Sequence, residues 1–169
     1  MAFSTNGCGT AETKDDGYKF DPAKYTGPNF QLKNIAGEDV QFTDFLGKGP
    51  VAINFWGTWC APCRVEMPEF RRIYDEYKDL GVEIIGISLR NTPQQVLSYC
   101  QPQRFTWPQV IGDVRTIKMY GNIRGFPTTI IYDRDGKELF RHMGPLRYAA
   151  FRSELEKALA IQDGIAPHS

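Results

Sequence analysis

The segment "NFWGTWCAPCRVEMPEF", residues 54–70, sets Cys60 and Cys63 three positions apart, between an apolar run and a helical pattern. Two thiols at that spacing admit three chemistries: a structural staple, half of a metal site, or a dithiol–disulfide redox couple. A staple between residues so close constrains little of the chain, which weakens that reading. A zinc site needs a second pair of ligands, and the remaining Cys8, Cys100, His142 and His168 form no paired spacing. The redox reading fits the local pattern best. A helix opening near Cys60 places its thiol among unpaired backbone N–H groups, which stabilise the thiolate and make it reactive. Cys60 is then the attacking nucleophile, and Cys63, one turn in, the resolving thiol. Pro62 loses nothing by lacking an N–H at an early helical position. Ala61 and Pro62, between the two thiols, are expected to influence the couple's potential.

The following helix carries a second chemical feature. Stepping about 100° per residue from Cys63, the side chains of Glu66, Met67, Phe70, Ile73, Tyr74 and Tyr77 fall within about 120° of arc. Every other charged residue from Arg64 to Asp79 lies outside it. Glu66 is therefore a lone carboxylate on the stripe predicted to be buried. Burial raises a carboxyl pKa toward neutrality, which suits proton exchange with a thiol. The competing reading is an exposed Glu at the edge of the stripe, since Glu is rarely buried. Pro68 is expected to kink the helix and blur the pattern beyond it. Trp59, beside Cys60, is expected to cover the disulfide or to meet substrate. Trp56 and Trp107 read as packing, and His142 as an ordinary strand residue. Cys100 reads as a small buried hydrophobe, and a bridge from it to Cys8 is a further pairing that the spacing leaves open.

The elements that must position these residues follow from periodicity. "GPNFQLKNIAGEDVQF" reads as two short strands about a turn at Gly37. "PVAINFW" (50–56), "VEIIGISL" (82–89) and "TTIIYD" (128–133) read as strands, and "DRDG" at 133–136 as a turn into "KELFRHM". Helical patterns cover 61–79, 93–101, 113–120 and 147–160. Strands alternating with helices and closing on a hairpin predict an α/β fold: a central mixed sheet flanked by helices. The organisation expected is a mobile lead-in over 1–26, one domain over 27–162 and a tail over 163–169.

Lys plus Arg equals Asp plus Glu at 20 each, so no bulk field favours nucleic acid or an anionic membrane. The apolar runs are too short to span a bilayer. The N-terminal stretch has no basic segment followed by an apolar one, so a targeting segment is expected to be absent from this chain.

"NFWGTWCAPC", Pro68 and "GFPTT" at 125–129 together resemble the thioredoxin superfamily, and more closely its TlpA/ResA/DsbE-like extracytoplasmic thiol-disulfide oxidoreductases. The resemblance runs over about residues 27–160, with an N-terminal β-hairpin and an inserted segment before "GFPTT". It implies a thioredoxin-like fold and a redox-active Cys60–Cys63 disulfide with no other cofactor. It implies that Pro127 is the cis-proline facing the disulfide, and that the backbone about Phe126 pairs with a bound substrate segment. Asn54 stands where cytosolic thioredoxins carry a buried Asp, and the residue matching Glu66 is the acid of the active site. Trp59, Ala61, Pro62, Phe126 and Pro127 are then the substrate-binding set. The implied activity is reduction of protein disulfides, such as those of apocytochrome c, by a monomer outside the cytoplasm that draws electrons from a membrane thiol donor. Two other classes stay open: a peroxiredoxin-like peroxidase, and a module that delivers Cu(I) on two thiols.

Overall fold

The computed structural model describes residues 17–163. Cys8, its proposed bridge and the residues after 163 lie outside that range. A hairpin comes first, β1 (Gln31–Lys33) and β2 (Asp39–Gln41), antiparallel with Leu32 opposite Val40. Its turn is built by Asn34, whose Oδ1 accepts from the N–H groups of Ala36 and Glu38 at 2.9 and 3.0 Å. Gly37 takes φ +88° there, a conformation that costs a side chain but not glycine.

The main sheet contains β3 (Val51–Trp56), β4 (Glu83–Leu89), β5 (Gln109–Gly112), β6 (Thr128–Tyr132) and β7 (Glu138–Met143). Their spatial order is β5-β4-β3-β6-β7. β3, β4 and β5 run parallel, while β6 and β7 form the antiparallel hairpin expected from "DRDG". The helices are α1 (Ala61–Tyr77), α2 (Pro93–Cys100), α3 (Val114–Met119) and α4 (Tyr148–Gln162). This is the mixed α/β sheet flanked by helices that the sequence predicts.

β3 is buried along its whole length, so strand alternation decides which side chain meets which layer. Val51, Ile53 and Phe55 face an aromatic layer holding Phe30, Phe42 and Tyr120. Ala52 and Trp56 face α1, α2 and α4 through Met67, Phe70, Val96 and Phe151. Asn54 shares their face by the same alternation, and so it points at α1. The Phe70 and Phe151 rings, 4.4 Å apart, join α1 to α4. Each such fully buried side chain contributes on the order of 1.5–3 kcal/mol.

Four details depart from the sequence reading. β5 is a strand that no pattern announced, because four residues are too few to establish an alternation. It adds to the edge of β4, and its Gln109 side chain fills the space over Gly86, where a Cβ would collide with it. Pro68 does not interrupt α1: Phe70, Ile73 and Tyr77 stay on the buried face beyond it. The helix ends at Tyr77, and a tight turn over Lys78–Leu80 closes on Gly81 at φ +86°. Phe20 and Tyr25, from the stretch expected to be a lead-in, pack on the aromatic layer.

Candidate active site

β3 delivers the chain to the carboxyl edge of the sheet, and four residues after Trp56, Cys60 caps α1. The Cys60 backbone is extended at φ −88° and ψ 105°, and its sulfur accepts from the Cys63 N–H at 3.3 Å. Cys60 and Cys63 form a disulfide, with Cα atoms 5.3 Å apart. Cys60 keeps 5% of its surface in solvent and Cys63 none, so attack from outside can reach only the first sulfur. The helix N-terminus adds unpaired N–H groups and a positive dipole end, which favour a thiolate at that sulfur once the pair is reduced.

Glu66 lies one turn further along and is fully buried. Its Oε1 accepts from Asn54 Nδ2 and its Oε2 from the Leu146 N–H, both at 2.8 Å. Burial pushes its pKa up to about 7; the hydrogen bonds from Leu146 and Asn54 pull the other way and do not cancel it. Asn54 Nδ2 also donates to Thr129 Oγ1 at 3.2 Å. The two residues are opposite each other in the β3–β6 register, which is why their side chains meet. Asn54 Oδ1 is buried without a partner among the described residues.

Other loops reach the same edge. The Phe126–Pro127 peptide bond is cis, and the Pro127 carbonyl accepts from the Gly144 N–H at 2.9 Å. The Phe126 ring meets Trp59 edge-on at 5.7 Å. Trp59 is 46% exposed, and its indole N–H is tied to the Leu89 carbonyl at 2.8 Å. Asn91, just past β4, holds the redox loop from the side: its Oδ1 accepts from the Thr58 N–H and its Nδ2 donates to Thr58 Oγ1.

The sequence-predicted residues thus gather at one edge of the sheet. Ala61 and Pro62 are exposed beside the disulfide, Phe126 is half-buried and Pro127 buried. Trp56 is fully buried, its indole N–H bonded to Gln109 Oε1 at 3.0 Å, and Trp107 is buried against Phe105. His142 pairs with Thr129 across the β6–β7 ladder. Cys100 is buried with no disulfide partner among the described residues, and burial pushes its thiol up to about 12. Sequence reasoning missed the groups that hold Glu66. Asn54 had a signal, as the polar residue in an apolar run; the Leu146 N–H had none, being backbone in a loop.

A helix-capping thiol pair beside a cis-proline loop, on a five-stranded mixed sheet, defines a thioredoxin-like protein. The AhpC/TSA family matches residues 24–137, and the chain belongs to that family, within the thioredoxin superfamily. It is 41% identical over 113 residues to "Thiol-disulfide oxidoreductase ResA" of Bacillus thuringiensis subsp. konkukian, covering 65% of this chain and 63% of that one. The chain therefore spans less than two thirds of that relative's length. A ResA of Bacillus cereus is 33% identical over 130 residues, 77% of this chain and 75% of its own. Among solved structures, a putative thiol:disulfide interchange protein DsbE from Chlorobium tepidum superposes with a TM-score of 0.70 at 27% identity, covering 79% of this chain and 94% of that one.

Proposed function

We propose that the protein is a thiol-disulfide oxidoreductase that reduces protein disulfides. The observation that carries this reading is the asymmetry of the Cys60–Cys63 pair: Cys60, on a helix N-terminus, keeps a small exposed fraction, while Cys63 is wholly buried one turn from Glu66. In the reduced protein, the Cys60 thiolate attacks a substrate disulfide, and one substrate sulfur leaves as a thiolate. Cys60 is then joined to the other substrate sulfur. Cys63 gives its proton to the Glu66 carboxylate and attacks the Cys60 sulfur, which expels the second substrate thiolate. Two electrons have passed to the substrate, and the pair ends as the disulfide present here. Glu66, with a pKa of about 7, exchanges a proton without a large penalty near neutral pH.

Trp59, Ala61, Pro62 and Phe126 form the surface against which a substrate segment lies, with Pro127 setting the course of the Phe126 backbone. The reaction needs no cofactor beyond the disulfide. The names of the relatives support thiol-disulfide exchange as the activity. A setting outside the cytoplasm, a membrane thiol donor that regenerates the dithiol and apocytochrome c cysteines as substrates are what the resemblance to TlpA/ResA/DsbE-like proteins implies. No helix among the described residues is long and apolar enough to cross a membrane.

The test is a reduction potential, measured against glutathione, paired with reduction of a cystine peptide. A potential well below about −180 mV supports a reductase, whereas one near about −120 mV, the range of strong oxidants, reverses the direction. Hydrogen peroxide consumed faster than any cystine substrate would favour peroxidase chemistry instead.

A further inference from the structure

The edge of the sheet that carries the disulfide is assembled from four separate loops. β3 ends there in residues 57–65, β4 in 89–95, the run into β6 in 122–128, and the exit from β7 in 143–147. Side-chain and backbone contacts tie them together: Trp59 to Leu89 and Phe126, Thr58 to Asn91, Pro127 to Gly144, and Glu66 to Leu146. In a chain with equal numbers of acids and bases, these four loops contain Arg64, Arg90, Arg124 and Arg147 and not one Asp or Glu; Glu66, which immediately follows the first of them, is fully buried. They contain no Lys either. All four arginines are exposed.

Arg64, Arg90 and Arg124 make no ion pair among the described residues; Arg147 reaches Glu69 at 3.9 Å. The other ion pairs of the described residues lie on the N-terminal stretch, the hairpins and the outer faces of α1 and α4, away from this edge. Asp113, after β5, is committed to capping α3 through Thr116. Arg90 takes a left-handed φ of +57°, and its guanidinium lies 5.7 Å from the centre of the Trp59 ring. The centre of the face is apolar, with Trp59 46% and Met143 64% exposed. Met143 lies along Gly125, where a Cβ would come within 2.8 Å of its sulfur.

We propose that this face selects protein segments that carry carboxylates within a few residues of their disulfide, the apolar centre taking the cystine and the arginines taking the acids. The inference rests on the thiol-disulfide reading above and specifies its substrate class. Arginine suits the role because its planar fork pairs two-pronged with a carboxylate. A rim of one sign also steers a charged partner in solution, an effect that fades as salt rises.

Three cystine peptides of one length test this, with Glu, Gln or Lys flanking the disulfide. The reduced full chain is mixed with each, and oxidation is followed by tryptophan fluorescence at low and high salt. The Glu peptide should react about tenfold faster than the Gln peptide at low salt, with the gap closing as salt is added. Arg64→Glu/Arg90→Glu/Arg124→Glu should reverse the order in favour of the Lys peptide; Arg90→Gln alone should narrow the Glu-to-Gln ratio. Lys157→Glu, on the far side of α4, should leave the ratio in place. Using the ratio cancels any change that the arginines make to Cys60 itself.

Equal rates for the Glu and Gln peptides overturn the proposal while leaving the oxidoreductase reading standing. Equal rates combined with arginine-dependent adhesion to phosphatidylglycerol vesicles overturn it in favour of a membrane surface. Failure of all three peptides and of oxidised glutathione to react overturns the underlying reading, and this inference with it.

Discussion

Cys63 and Cys100 lie in one apolar cluster, each shut away from solvent, and their settings differ in ways that burial does not describe. Cys63 stands in the first turn of α1, closed to Cys60 and one turn from a carboxyl group with a pKa of about 7. Cys100 is the last residue of α2, with no disulfide partner among the described residues and a thiol that burial pushes up to about 12. The C-terminal end of a helix dipole also disfavours a thiolate, whereas the N-terminal end favours one. A reactive cysteine is thus defined by which helix end it occupies and by what can take its proton. The strongest way to break this comparison is to remove Cys63. Cys63→Ser should lower turnover by more than about a thousandfold and leave a stable mixed disulfide on Cys60, seen as an added mass on a non-reducing gel. Release of substrate at the original rate would mean that another group, Cys100 included, resolves the intermediate.

Glu66→Gln probes the second half of the contrast. Exchange should slow by about a hundredfold, and the inflection near pH 7 should vanish from the rate profile. An unchanged profile would remove Glu66 from the chemistry. Stability gives a second readout, with a definite sign. An unfolded chain releases the Glu66 proton near the ordinary 4.5, while the folded protein holds it to about 7. Between those values the unfolded state binds fewer protons, so stability falls as pH rises through the window. The fall is on the order of 3 kcal/mol, and Glu66→Gln should abolish it. Urea unfolding of the oxidised protein at pH 5 and pH 8 measures this directly, and an equal loss in both proteins would contradict it.

Asn54 sharpens the comparison further, since nothing equivalent attends Cys100. Asn54→Leu removes one of the two donors to the Glu66 carboxylate and should raise the rate inflection by about one pH unit. Asn54→Asp sets a second carboxyl group against Glu66. The pair should then titrate in two coupled steps, the upper one above about 7. If both variants keep the inflection where it is, the amide packs beside Glu66 without tuning it.

Much of this was legible in the chain, and the limits have physical causes. The stripe through Glu66 could be read because α1 is long and its period regular; it survived Pro68, which lies on the exposed face. Cys60 and Cys63 carried their meaning in their spacing. Asn54 was read as the loss of an acid from β3, and its bond to Glu66 needed the packing of β3 against α1 to become visible. The Leu146 donor is a backbone group brought in from beyond β7, and side-chain identity says nothing about it. The arginines of the reactive face are scattered from 64 to 147, so only the sheet order gathers them. β5 failed for a different reason. Its four residues become a strand by pairing with β4, which is tertiary information.

The smallest effect is expected at Cys100, and it closes the comparison from the other side. Cys100→Ala deletes one buried sulfur and should cost on the order of 1 kcal/mol in urea unfolding, through a small cavity between α2 and the sheet. Exchange rates and their pH profile should stay within about twofold of the parent, because a thiol with a pKa of about 12 is protonated throughout the working range. The two readouts separate packing from chemistry. A loss of stability with unchanged exchange fixes Cys100 as a core side chain, whereas slowed exchange with unchanged stability would show that burial beside the redox pair is itself enough to recruit a thiol.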